Sequence, residues 1–257
     1  MSPSPSEADR LQSKGVLRLR AENPGPLTMS GTNTWVVGRD PAWVVDPGPA
    51  LHEHFEALAA AIGERGGLGG IALTHDHIDH SESAEALRER FPAPLAAGRG
   101  PADVELRDGT RFGPFEAVYA PGHAPDHFAL IVGRVCFCGD AVLGEGSVFV
   151  APDPGALAGY LDALARLRER ELDVLCPGHG PPIWAPRERL SEYIEHRLDR
   201  ERRLLAAIAE GHHSTEDLLD AAWPDVPAQL RPLAAVTLAA HLDKLAEEGR
   251  LPLPFAR

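Results

Sequence analysis

Cysteine is scarce: three residues, at 136, 138 and 176. Three is too few, and odd, for a disulfide framework. Positive charge is short as well. There are 25 Lys and Arg against 38 Asp and Glu, and only Lys14 and Lys244 are lysines. The formal net charge of −13 excludes a protein that grips nucleic acid through bulk positive charge, but not a nuclease with a local basic groove. No apolar run is long enough to span a bilayer, and no basic-then-apolar start resembles a signal peptide. The expectation is a cytoplasmic protein without a membrane segment. Its 44% hydrophobic and 25% charged content is that of an ordinary globular chain. The length fits one large domain, or one medium domain with a small appendage.

What is present centres on Ile71–Ser83, where a short apolar run ends in three histidines and two aspartates within six residues. In extended or tightly turning backbone, residues two apart project to one side. His75, His77 and Asp79 then converge, while His80 points elsewhere. Imidazole and carboxylate are ligands of first-row metals, and the crowding suits two adjacent ions better than one.

Residues 1–13, opening Met1-Ser2-Pro3-Ser4-Pro5-Ser6, predict a disordered start. Strands are predicted at 16–19, 32–38 and 42–46, the last ending at Asp46 before a Pro-Gly turn. Asp46 is either a turn carboxylate or the support behind a metal-binding histidine. Leu51, Phe55, Leu58 and Ile62 mark a helix over 51–65, and a second runs from His80 to Arg90. Strand-like pieces follow at 103–106, 111–120, 128–133 and 134–138, then a helix at 156–170 and a strand at 173–175. Two sheets faced by helices are the layered solution. From Pro186 the pattern is helical: 187–209, a helix capped by Ser214 or Thr215, and 227–249 with a short exit strand, as in a winged-helix module. The expected division is 1–13, a metal-bearing domain 14–185, and a helical domain 186–257. From Arg197 onward there are eight basic and ten acidic residues, too little positive charge for a DNA-reading helix.

Three more ligand candidates sit where an apolar strand meets a Gly-containing turn: His123 in Pro121-Gly122-His123, Asp140 in Gly139-Asp140, and His179 in Pro177-Gly178-His179-Gly180. A scaffold can aim several side chains at one point in this way. Cys138 and Cys176, each just ahead of a candidate ligand, read as small buried hydrophobes, with a supporting role behind the ligands left open.

The pattern T-H-x-H-x-D-H, P-G-H, G-D and P-G-H-G resembles the metallo-β-lactamase fold superfamily over residues 15–185. The resemblance implies a four-layered αβ/βα sandwich with a small C-terminal winged-helix-like domain. It implies that His75, His77 and His123 hold one metal, that Asp79, His80 and His179 hold a second, and that Asp140 bridges them. Two zinc ions are the usual occupants, and iron or manganese accept the same donors. A hydroxide shared between the metals would attack an acyl carbon or a phosphorus. Asp79 would orient it, and neither Ser147 nor a cysteine is needed as nucleophile. Ser81-Glu82-Ser83 departs from the small residue and two glycines that relatives often carry.

Pro181 after Pro177-Gly178-His179-Gly180 is unlike glyoxalase II. The gap from Asp140 to His179 has no room for the inserted domain of the large nucleases. Gly31-Thr32-Asn33-Thr34, Pro121-Gly122-His123-Ala124-Pro125-Asp126-His127, Leu143-Gly144-Glu145-Gly146-Ser147-Val148-Phe149 and Tyr193-Ile194-Glu195-His196-Arg197 resemble the β-lactamase-like protein 2 family. That family includes single-strand RNA endonucleases, and related chains hydrolyse carrier-bound acyl thioesters. By this resemblance Asn33 and His127 contact substrate. The expectation is a phosphodiesterase on single-stranded RNA, with an acyl-thioester hydrolase as alternative and a ligand-sensing DNA-binding regulator as a further one.

Overall fold

The computed structural model describes residues 5–251, and it divides into two compact units. The first comprises 1–119, 126–146 and 172–185 and carries both sheets; the second comprises 120–125, 147–171 and 186–257.

In the first unit, α1 (Glu7–Gln12) leads into a six-stranded sheet, β1 (Val16–Arg20), β2 (Asn33–Val37), β3 (Ala42–Val45), β4 (Leu68–Ala72), β5 (Leu95–Ala97) and β6 (Val104–Glu105), in that spatial order. The first three strands are antiparallel neighbours, and β3 to β6 run parallel. The parallel part needs helical crossovers, supplied by α2 (His52–Gly63), the single turn α3 (Ile78–Ser81) and α4 (Ala84–Arg90). The second sheet is β7 (Arg111–Phe112), β8 (Phe115–Tyr119), β9 (Phe128–Val132), β10 (Val135–Gly139) and β11 (Val174–Pro177), with only β10 and β11 parallel.

Period-two alternation explains the layers. Trp35 and Val37 join Phe115, Leu130 and Phe137 in a core shared by the two sheets. Val36, between them in sequence, points the other way, onto Leu58, Ile62 and Leu87 of α2 and α4. Each such fully buried side chain stabilises the fold by about 1.5–3 kcal/mol.

The start of the chain is a correction. Residues 7–12 form a helix because Ser6 and Asp9 make a reciprocal capping box and Leu11 enters the inter-sheet core. Met1–Ser4 lie outside the described residues. The expected strand 111–120 is split by a tight turn at Gly113-Pro114, so that Phe112 faces Phe115 across a hairpin. The helix expected from His80 to Arg90 breaks at Glu82-Ser83. There the Glu82 carboxylate accepts the Ala50 N–H at 2.8 Å and the Ser83 hydroxyl donates to the Pro49 carbonyl at 2.9 Å. The departure at 81–83 thus ties the metal-bearing turn to the turn after β3.

The second unit is helical: α5 (Ala156–Arg168), α6 (Pro186–Ala209), α7 (Thr215–Ala222), a 3₁₀ turn at Ala228–Leu230 and α8 (Arg231–Glu247). Leu204, Ile208, Leu218, Trp223, Leu238 and Leu245 form its core, and Ser214 caps α7 as read. The helix at 156–168 is part of this compact unit, where it packs on α6 and α8. Residues 252–257, where the exit strand was expected, lie outside the described residues. Among the described residues no helix is long and apolar enough to cross a membrane.

Candidate metal centre

Parallel pairing brings the ligand-bearing strand ends together. Val45 is in register with Ala72, so Asp46 emerges beside Leu73-Thr74-His75. In the second sheet Gly139 is in register with Pro177, so Asp140 emerges beside the loop of His179. Both pairs sit at carboxyl ends of parallel strands, where open α/β sheets place their ligands.

Asp46 is the buried hub of the first pair. Its carboxylate accepts the Thr74 N–H at 2.7 Å, the Thr74 hydroxyl at 2.7 Å and His80 Nδ1 at 2.9 Å. With its proton given to Asp46, Thr74 must accept from His75 Nδ1, 3.0 Å away. One carboxylate therefore sets the tautomer of two histidines, directly for His80 and through Thr74 for His75, and leaves both Nε2 lone pairs free. This is how proteins orient metal-binding imidazoles. It answers the question left open for Asp46: it is no mere turn residue, although its φ of 51° also makes the turn. Thr74 escaped the sequence reading, though its position just before His75 was the available signal.

The freed nitrogens converge. His80 Nε2 lies 3.4 Å from His179 Nε2, 3.5 Å from Asp79 Oδ2 and 3.6 Å from Asp140 Oδ1. His179 Nε2 lies 3.4 Å from Asp79 Oδ2 and 3.3 Å from Asp140 Oδ2, while its Nδ1 faces the Gly31 carbonyl at 3.3 Å. His75 Nε2 and His77 Nδ1 are 3.0 Å apart. Within the first unit, two sets have ligand atoms mutually within 4.8 Å: His75, His80 and Asp140; and Asp79, His80 and His179. The expectation that His80 points elsewhere is corrected. Residues 78–81 wind into a helical turn, which brings consecutive residues 79 and 80 inward together.

Two glycines make the convergence possible. A Cβ on Gly178 would sit 2.3 Å from Asp140 Oδ1 and 2.5 Å from His80 Cε1. Gly139, at φ 46°, has Thr74 Oγ1 at 2.5 Å from the same construction.

The acidic groups set the charge of the two imidazoles. Burial alone would push the His80 imidazolium down, but Asp140, Asp46 and Asp79 outweigh it and raise its pKa to about 9. For His179 burial is likewise outweighed, chiefly by Asp140, and the shift is upward. The cluster thus binds positive charge avidly, as protons when nothing else is available. Imidazoles and carboxylates that present lone pairs to one another, without a thiolate among them, fit divalent zinc, iron or manganese.

The remaining candidates are all buried. Asn33 is fully buried and donates to the Pro177 and Gly180 carbonyls at 3.0 and 2.9 Å, strapping the His179 loop. His127 is fully buried, and its Nε2 accepts the Asp140 N–H at 3.1 Å. Both side chains, expected to contact substrate, are thus buried and bonded to the backbone of the ligand-bearing loops. His123 is buried on the stretch 120–125 of the second unit, its ring 4.9 Å from that of Phe149. Cys136, Cys138 and Cys176 are free and fully buried, and burial pushes the Cys138 and Cys176 thiols well up, so they serve as small core residues.

Comparison with known proteins places this geometry. The metallo-beta-lactamase superfamily profile matches residues 27–111 and 101–179, and the beta-lactamase associated winged helix domain matches 214–251. A beta-lactamase-like protein 2 homolog of Caenorhabditis elegans is 30% identical over 94% of this chain and 88% of its own length. An atrochrysone carboxyl ACP thioesterase of Aspergillus chevalieri is 32% identical over 76% of this chain and 66% of its own. Among solved structures, a beta-lactamase domain protein from Burkholderia ambifaria superposes with a TM-score of 0.79 at 23% identity, covering 93% of this chain and 87% of that one. A structure described as a di-iron-bound form of TTHA1623 matches with a TM-score of 0.54 at 27% identity, over 67% of this chain and 96% of that one. The chain belongs to the metallo-beta-lactamase superfamily, among the relatives of beta-lactamase-like protein 2, and is a hydrolase of that fold with a C-terminal winged-helix domain.

Proposed function

We propose that this hydrolase is dinuclear and cleaves acyl thioesters. By the family resemblance, His75, His77 and His123 would hold one metal ion and Asp79, His80 and His179 the other, with Asp140 serving both. The observation that carries the dinuclear reading is the place of Asp140: it falls in one three-residue set with His75, assigned to the first ion, and its carboxylate also faces His179, assigned to the second. Bound divalent ions lower the pKa of water and stabilise the oxyanion that develops at an acyl carbon or phosphorus. Zinc fits the donors, and iron does equally, in keeping with the di-iron relative.

The rest falls to the protein. Asp79 is the most open of the three acids, its side chain 23% exposed against 8% for Asp140 and 2% for Asp46. Its carboxylate orients the attacking water and takes up its proton. Asp46 and the Gly31 carbonyl hold His80 and His179 in the tautomers that offer Nε2. No serine or cysteine acts as nucleophile.

Two observations put the thioester ahead of RNA, reversing the order expected from sequence. Relatives at 32% and 27% identity are named carrier-protein thioesterases. The net charge of −13 disfavours a polyanionic substrate. Single-stranded RNA is the second reading, favoured by the match to beta-lactamase-like protein 2 homologs. A DNA-binding regulator is disfavoured further, since Arg197, Arg200 and Lys244 are buried within the helical unit and take no part in a basic surface.

The test incubates metal-loaded protein, and an Asp79→Ala/His80→Ala double variant, with an acyl thioester and with single-stranded RNA. Thioester turnover lost in the variant is the expected result. RNA cleavage without thioester turnover overturns the substrate assignment in favour of the second reading.

A further inference from the structure

The segment Asn23–Thr32 precedes β2, lies far in sequence from the metal-binding motif, and yet reaches into it. Thr32 is fully buried, and its hydroxyl lies 2.8 Å from Asp79 Oδ2. Its Oγ1 also receives Asn23 Nδ2 at 3.0 Å, while the Thr32 N–H donates to Asn23 Oδ1 at 2.9 Å. These contacts fix every proton. A backbone N–H only donates, so the Asn23 oxygen must face it and the Asn23 amide nitrogen must face the hydroxyl. That nitrogen only donates, so the single Thr32 proton goes to the carboxylate. The same Asp79 oxygen faces His80 Nε2 at 3.5 Å and His179 Nε2 at 3.4 Å.

Asp79 needs such a restraint. It stands on a one-turn helix and is the most open acid of the cluster, its side chain 23% exposed. Asn23 is itself anchored: its carbonyl accepts the Thr28 hydroxyl at 2.6 Å, and the Thr28 carbonyl accepts the Gly31 N–H at 2.8 Å. We propose that Thr32, oriented by Asn23, is a positioning residue that aims the Asp79 carboxylate at the second metal ion. This inference rests on the dinuclear reading above.

The experiment measures zinc affinity by competition with a chromophoric chelator, alongside kcat and KM. Thr32→Val keeps the shape and removes the hydroxyl. The second zinc ion is expected to bind about 10- to 100-fold more weakly, the first unchanged, with kcat reduced and KM little altered. Thr32→Ser should restore both. Asn23→Ala, at a half-buried position, probes the same relay without touching the core, and roughly a fivefold weakening of the second ion is expected, the worth of one hydrogen bond. Unchanged affinity and kcat in Thr32→Val and Asn23→Ala overturn the proposal. So does equal weakening of both ions that Thr32→Ser does not repair, which marks general damage. A wild-type chain that binds fewer than two ions overturns the dinuclear reading itself, a result visible before any variant is made.

Discussion

Histidines meet opposite fields in the two units. In the first, His80 is ringed by Asp46, Asp79 and Asp140, and its pKa rises to about 9. In the second, burial and the cations Arg197, Lys244 and Arg200 drive His241 down to about 3. His196 falls to about 4, again through burial first and then Arg197 and Arg200. Both nitrogens of the His241 ring lack a hydrogen-bond partner among the described residues, while the ring packs at 5.6 Å from Trp223. Neither site resembles an ordinary polar surface. One collects lone pairs and negative charge around its imidazoles, which is what a cation needs; the other keeps His241 and His196 neutral. The contrast shows why counting histidines does not locate a metal centre, whereas the company they keep does.

The largest way to break the contrast is to remove a ligand of the centre. His80→Ala or Asp140→Ala should release metal and abolish hydrolysis, read by elemental analysis and turnover, with the helical unit's unfolding unaffected. Asp46→Ala comes next: losing the group that orients His80 and Thr74 should weaken metal binding about 10- to 100-fold. In the second unit, Glu201 is buried and pairs with Lys244 at 2.7 Å and Arg250 at 2.6 Å. Glu201→Ala strands a buried lysine, which keeps Glu248 at 2.8 Å. The loss should therefore sit at the low end of the buried-pair range, about 3 kcal/mol by denaturant titration, with metal content unchanged.

The pH responses should have opposite signs. The raised pKa of His80 contributes stability to the metal-free protein that is full below about 6.5 and is lost as pH rises through about 9. The depressed pKa of His241 contributes stability present above about 6.5 and lost as pH falls toward about 3. Calorimetry of chelated protein should show the first unit weakening with base and the second with acid, and metal loading should remove only the first trend. The smallest effect is expected of His241→Leu: stability at neutral pH within about 1 kcal/mol of wild type, since no hydrogen bond is lost, and a flatter acid limb.

Much of this was readable without coordinates. Strand ends punctuated by Gly-Asp and Pro-Gly-His carry local information, so His75, Asp140 and His179 stood out by themselves. Less visible were Thr32, Thr74 and Asn23, whose importance lies in hydrogen bonds between segments distant in sequence. The direction of His80 was misjudged for a related reason: four residues at 78–81 are too short a helix for periodicity to register. Asn33 and His127 carry a substrate role by resemblance alone; that the Asn33 amide nitrogen and His127 Nε2 bond to the loops behind the ligands depends on contacts distant in sequence. The helix 156–168 is legible as a helix, but not its packing on α6 and α8, because an apolar stripe does not name the surface it covers.

The central claim is that one hydrolytic centre holds two ions, with Asp140 serving both and His80 the second. Its most direct test is the stoichiometry of metal bound after chelation and reloading, in wild type and in His80→Ala. Two equivalents per chain, falling to one or none in the variant, is the predicted result. A single equivalent in wild type, or two retained without His80, would contradict the account.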